Sequence, residues 1–79
     1  MNKQRRQQLY DATSSLDDAI GVIQDVQSEE EESFYNLPDG LQVSDTGDAM
    51  QEAIAALDVF VEKIDQIKMD IEDFIENKK

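Results

Sequence analysis

Carboxylates are the reactive side chains this sequence offers in quantity. Asp17-Asp18 and Glu72-Asp73 are adjacent pairs of the type used in general acid–base catalysis. On a helix, neighbouring residues point about 100° apart, and neither pair has an apolar pocket beside it to raise a pKa. Both read as solvated helix surface. Asp45-Thr46-Gly47 matches the aspartic protease tripeptide, but that chemistry needs a β-rich loop, and nothing here reads as strand. The tripeptide reads instead as a helix N-cap. Glu29, Glu30, Glu31 and Glu32 with Asp45 and Asp48 could attract a divalent cation. Calcium, however, takes six to eight oxygens on a shaped loop, and the EF-hand pattern is absent. Lys3, Arg5 and Arg6 could touch a nucleic acid, but they sit on a chain of net charge −12.

Other chemistries lack their residues. The chain has no cysteine and no histidine, which removes thiolate chemistry, the usual zinc ligands and the commonest general base. No phosphate loop, nucleophile elbow or triad is present. The expectation is a protein that is not an enzyme, with no cofactor and no metal site.

The elements that carry these charges follow from periodicity. Met50, Ala53, Leu57, Phe60, Ile64, Ile67, Ile71 and Phe74 alternate spacings of three and four, a heptad seam. Ile54, Val61 and Ile75 form a parallel row, with Lys68 as its polar member. The combined stripe is wider than a two-stranded seam and suits a bundle core. Leu9, Ala12, Leu16, Ala19, Ile20, Ile23 and Val26 repeat at helical spacing in the first half. That pattern fades through the acidic run and returns at Phe34. Gly21 interrupts it, either as a tolerated glycine or as a point of close helix approach.

Pro38 turns Leu37 away from helical angles, and Asp39-Gly40 follows as a turn pair. Ser44, Asp45 and Thr46 can cap a helix, and acids at 45 and 48 suit its N-terminus. The chain therefore reads as all-α: a single domain over 1–79, with helices at about 3–35 and 45–77 and a turn at about 36–44. A connection this short favours an antiparallel hairpin, in which Leu9 faces Ile71, Leu16 faces Ile64 and Ile23 faces Leu57. Lys3, Arg5 and Arg6 then lie near Glu72, Asp73 and Glu76. At 79 residues the buried core is small. The candidate packing and dimer stripe is Leu16, Ile20, Ile23, Ile54, Leu57, Phe60, Val61, Ile64, Ile67, Ile71 and Phe74. Two hairpins sharing that stripe make a homodimeric four-helix bundle.

Charge is distributed unevenly. Residues 1–10 hold three bases and no acid, and residues 11–49 hold eleven acids and no base. Folding the chain at its turn gathers Glu29, Glu30, Glu31, Glu32, Asp39, Asp45 and Asp48 into one acidic tip. The first four sit where a helix dipole disfavours anions, so the tip is not built for stability. A surface this acidic repels phosphate backbones and anionic headgroups, so neither nucleic acid nor membrane is an expected direct partner. The basic N-terminus lacks the apolar stretch of a signal peptide. The longest apolar runs are about one helical turn, too short to span a bilayer. A cytoplasmic location is expected.

The run EEEESFYNLPDGLQVSDTGDAMQEAIAA, residues 29–56, resembles a group of small acidic proteins from phages, prophages and mobile elements. The shared features here are the acidic run, Asn36-Leu37-Pro38, Leu41-Gln42, Ser44, Gly47 and Ala53-Ile54. The resemblance covers about a third of the chain. It implies a genomic setting and offers no catalytic residues.

Two roles follow as expectations. In the first, the acidic surface binds a basic host or defence protein, in the sharpest case by standing in for DNA. In the second, the apolar stripe docks on partner helices in an assembly and the acid serves solubility.

Overall fold

A computed structural model of the chain describes residues 1–77. Among the described residues the protein is all-α, with no strand. Helix α1 runs Lys3–Tyr35, a single turn of helix α2 runs Asp39–Gln42, and helix α3 runs Asp45–Asn77.

Local chemistry sets these limits. The Asn2 side chain accepts from the Arg5 amide at 2.8 Å, capping the start of α1. At the other end the Asn36 amide donates to the Glu32 carbonyl at 3.0 Å, and the Leu37 amide to Phe34 at 3.1 Å. Pro38 stops α1 and starts α2, its carbonyl accepting from the Leu41 amide at 2.8 Å. The segment read as a turn pair at Asp39-Gly40 is thus helical. Ser44 precedes α3, and its carbonyl accepts from the Asp48 amide at 2.9 Å. The Ser44 hydroxyl points backwards and donates to the Leu41 carbonyl. Asp45, Thr46 and Gly47 belong to the first turn of α3 rather than to a cap.

Helix α2 is fastened on both sides. The Gln42 amide group donates to the Leu37 carbonyl at 3.2 Å. On the other side α2 rests on Gly47, which is buried. A Cβ there would stand 2.6 Å from the Gln42 carbonyl carbon and 2.7 Å from the Leu41 oxygen. No described glycine has a positive φ, so Gly47 supplies room rather than unusual backbone angles. Gly21 has nothing within 4 Å of an added Cβ. Of its two readings, the tolerated glycine holds, and the close approach occurs at Gly47.

Helices α1 and α3 lie against each other. The molecule extends 59 × 15 × 12 Å, whereas one helix of 33 residues spans about 50 Å. Two such helices placed end to end would be far longer. Tyr10 reaches Glu76, Asp17 reaches Lys68, and Gln27 reaches the Ile54 carbonyl. Partner numbers fall as α1 advances, so the two helices run in opposite directions. The first two pairs sit several residues beyond a register that places Leu16 opposite Ile64. Side chains lean toward the N-terminus of their own helix by about one position, which is less than this offset, so the pairing is shifted from the expected one toward Leu16 opposite Lys68.

The core is thin. Ile20, Phe34 and Ile75 are its buried apolar residues, with Ile75 fully buried, and Thr13 joins them with its hydroxyl donating to the Tyr10 carbonyl at 2.7 Å.

Candidate interaction surfaces

The face α3 turns to α1 differs from the seam read off the spacing. Met50, Ile54, Leu57, Val61, Ile64, Lys68 and Ile71 are half-buried, and Ile75 is fully buried. Along α1 the inward residues are Leu9, Thr13, Leu16, Ile20, Ile23, Gln27, Glu30 and Phe34. Phe60, Ile67 and Phe74, expected in the seam, remain 49 %, 52 % and 45 % exposed. Two helices cover only a two-row stripe between them, and α3 has three apolar rows. The row containing Lys68 faces inward, and that lysine meets Asp17 across the interface. Ile75, in the same row, is fully buried, while Phe74 is left on the edge.

Lys68 Nζ lies 2.8 Å from Asp17 Oδ1 and 3.6 Å from Asp65 Oδ1. The hydrogen bond Lys68 donates to Asp17, reinforced by the charges of Asp17, Asp65 and Glu72, raises the lysine pKa above its ordinary value against a partial loss of hydration. At the open end the Tyr10 hydroxyl donates to Glu76 at 2.6 Å. The expected match of Lys3, Arg5 and Arg6 with Glu72 and Asp73 is not made among the described residues. Arg6 instead turns back to the Met1 carbonyl.

These contacts identify the two edges of the paired helices. Successive residues rotate by about 100°. From Leu9, Leu16 and Ile23, one step forward gives Tyr10, Asp17 and Gln24, and three steps give Ala12, Ala19 and Val26. From Leu57, Ile64 and Ile71, one step gives Asp58, Asp65 and Glu72, and three steps give Phe60, Ile67 and Phe74. Asp17 and Asp65 share Lys68, so the one-step rows of the two helices lie on the same edge. The three-step rows then share the opposite edge. One edge is acidic and the other apolar.

A shallow open cleft lies on the acidic edge, lined by Gln27, Glu31, Phe34, Gln51, Ile54 and Asp58 among others. The Gln27 amide closes its floor by donating to the Ile54 carbonyl at 3.1 Å. Glu31 and Asp58 open onto solvent there. No group of three or more metal-ligating side chains exists among the described residues. No helix among them is long and apolar enough to cross a membrane.

The acidic run gathers where the sequence placed it. Glu29, Glu31 and Glu32 are exposed in the last turns of α1, and Glu30 is half-buried. Asp39 starts α2, and Asp45 and Asp48 occupy the first turn of α3. None of these seven carboxylates has an ion pair among the described residues. No basic residue lies in the last turn of α1. The apolar edge was legible only as part of a wide stripe; Lys68 marks which row turns inward.

No family model, curated protein or solved structure matches this chain.

Proposed function

We propose that the protein is a non-enzymatic, acidic interaction module, and that its carboxylates bind a basic protein partner in place of DNA. The observation carrying this reading is the tip of seven carboxylates with no ion pair among the described residues, at one end of a helical rod. Charge kept at a helix C-terminus works against folding, so its concentration there fits a role in binding. Nineteen acidic residues spread along 59 Å give roughly one charge per 3 Å, against one per about 1.7 Å of duplex axis. Two chains side by side approach the duplex value. In this reading the fold is an antiparallel helical hairpin that dimerises into a four-helix bundle. The setting is the cytoplasm of a cell carrying a phage or mobile element, as the resemblance around Asn36-Leu37-Pro38 implies.

Tagged protein is incubated with nuclease-treated host lysate beside the variant with Glu29, Glu30, Glu31 and Glu32 all changed to Gln. The expected result is capture of a basic nucleic-acid-binding protein by the wild type and much weaker capture by the variant. Equal capture by both contradicts the reading.

A second reading has its own support in the exposed Phe60, Ile67 and Phe74. Here the protein is an assembly accessory whose apolar edge docks on partner helices. Capture then withstands salt and is lost on Ile67→Glu.

A further inference from the structure

The apolar edge has two ends that differ in size and in charge. Phe74, Ile67 and Phe60 occupy the open half of the rod, where the chain starts. Towards the turn the same edge is small: Val26 and Ser33 on α1, Ala53 on α3, with Ala56 and Ala49 beside them. Arg5 stands on this edge at the open end. Glu29 and Glu30 border it at the turn end.

The amount of surface also calls for a partner. The chain exposes 5692 Å², while a compact monomer of 9.0 kDa exposes about 4,900 Å². The excess, about 800 Å², equals the share one partner gives to a standard stable interface. A face 59 Å long and 15 Å wide can supply it.

We propose that the occupant of this edge is a second copy of the chain, laid head to tail across a two-fold axis perpendicular to the rod. This deepens the dimer named above and rests on it. With the axis near Ala19 and Phe60, each copy's Ile67 falls on the other's Ala53 and its Phe74 near the other's Ala49. Large side chains meet small ones, as interdigitated packing requires. The same rotation sets Arg5 of each copy beside Glu29 and Glu30 of the other. A parallel pair would set acidic tip against acidic tip. The head-to-tail dimer holds its two acidic tips at opposite ends, free to engage two basic surfaces.

The native chain has no cysteine, so one spin label can be placed at Asp39→Cys in α2, which is exposed. Pulsed dipolar spectroscopy is run on the full chain at 0.15 M salt, with molar mass measured by light scattering on the same sample. The expected result is a dimer with a label separation comparable with the 59 Å rod. A dimer with a separation under half that length overturns the orientation and leaves the dimer standing. A monomeric mass at a concentration of 100 µM overturns both. Ile67→Glu is expected to halve the mass with helicity retained, while Val59→Glu, on the outer face, leaves it unchanged. Arg5→Glu is a variant that leaves the packed residues intact, and it is expected to weaken dimerisation at least several-fold. Unchanged association in both Ile67→Glu and Arg5→Glu assigns the edge to some other occupant, such as a partner helix.

Discussion

Lys68 Nζ and Asp17 Oδ1, 51 positions apart in the chain, meet at 2.8 Å across the interface between α3 and α1. That contact lies on the one of three apolar rows of α3 that turns inward, and it is expected to bias the choice of row. Replacing Lys68 with Leu removes that bias. The expected outcome is a chain at least as stable in urea, because an apolar residue suits this half-buried position, but with Lys68→Leu populating more than one helix register. Broadened or doubled amide resonances in NMR would report this. A single sharp set matching the wild type would show that Lys68 selects nothing.

The same contact carries a pH signature. The lysine pKa is raised in the folded chain from its ordinary 10.5. Its contribution is therefore fully present below that value and is lost as pH rises through the raised one. Comparing wild type with Lys68→Met cancels other titrations. The stability difference between them should move against the wild type only above about pH 10. A difference that stays constant through the lysine range contradicts the raised pKa.

Two glycines should respond oppositely to alanine. At Gly21, where an added Cβ meets nothing within 4 Å, the change should stabilise by about 1 kcal/mol through helix propensity. At Gly47 the Cβ collides with backbone of α2, and the cost should be about 1–3 kcal/mol. Chemical denaturation of both variants measures this. A stabilising Gly47→Ala would mean that α2 does not rest on α3.

Ile75 and Ile67 lie in neighbouring rows of one helix, fully buried and half exposed respectively. Ile75→Ala should cost about 2–5 kcal/mol at any protein concentration. Ile67→Ala should act through association, so its effect on thermal unfolding should fade on dilution. Equal, concentration-independent costs would place both residues in the same core.

Relieving the acidic run should stabilise the fold. Changing Glu29, Glu30, Glu31 and Glu32 together to Gln removes anions from the wrong end of the α1 dipole, a gain of about 1 kcal/mol or more. Added salt should raise the wild-type melting temperature by screening the same repulsion, and raise the variant's less. Calorimetry at low and moderate ionic strength reads both. Loss of stability in the variant would mean that these carboxylates support the fold.

Helix limits were legible in the sequence because local signals agreed there. Asn36-Leu37-Pro38 ends one helix, acids at 45 and 48 begin the next, and the observed bounds lie at those places. The inward row of α3 was not legible from α3 alone. Met50, Leu57, Ile64 and Ile71 belong to both candidate seams, and the choice between Phe74 and Ile75 depends on what α1 presents. The helical turn at Asp39–Gln42 was hidden because Asp39-Gly40 is an equally good turn pair. At the basic end, opposite charges at matching heights do not by themselves make a contact: Arg6 turns back to the Met1 carbonyl, and Tyr10 donates to Glu76. The acidic tip needed only the fold reversal to assemble, since its residues are close to the turn in sequence.

Recognition of a basic partner by charge is tested most directly by the affinity for the captured partner across a salt series, with duplex DNA as competitor. Affinity should fall steeply as salt rises, and DNA should displace the protein. Binding that survives high salt and excess duplex would contradict recognition by charge and turn attention to the Phe60, Ile67 and Phe74 edge.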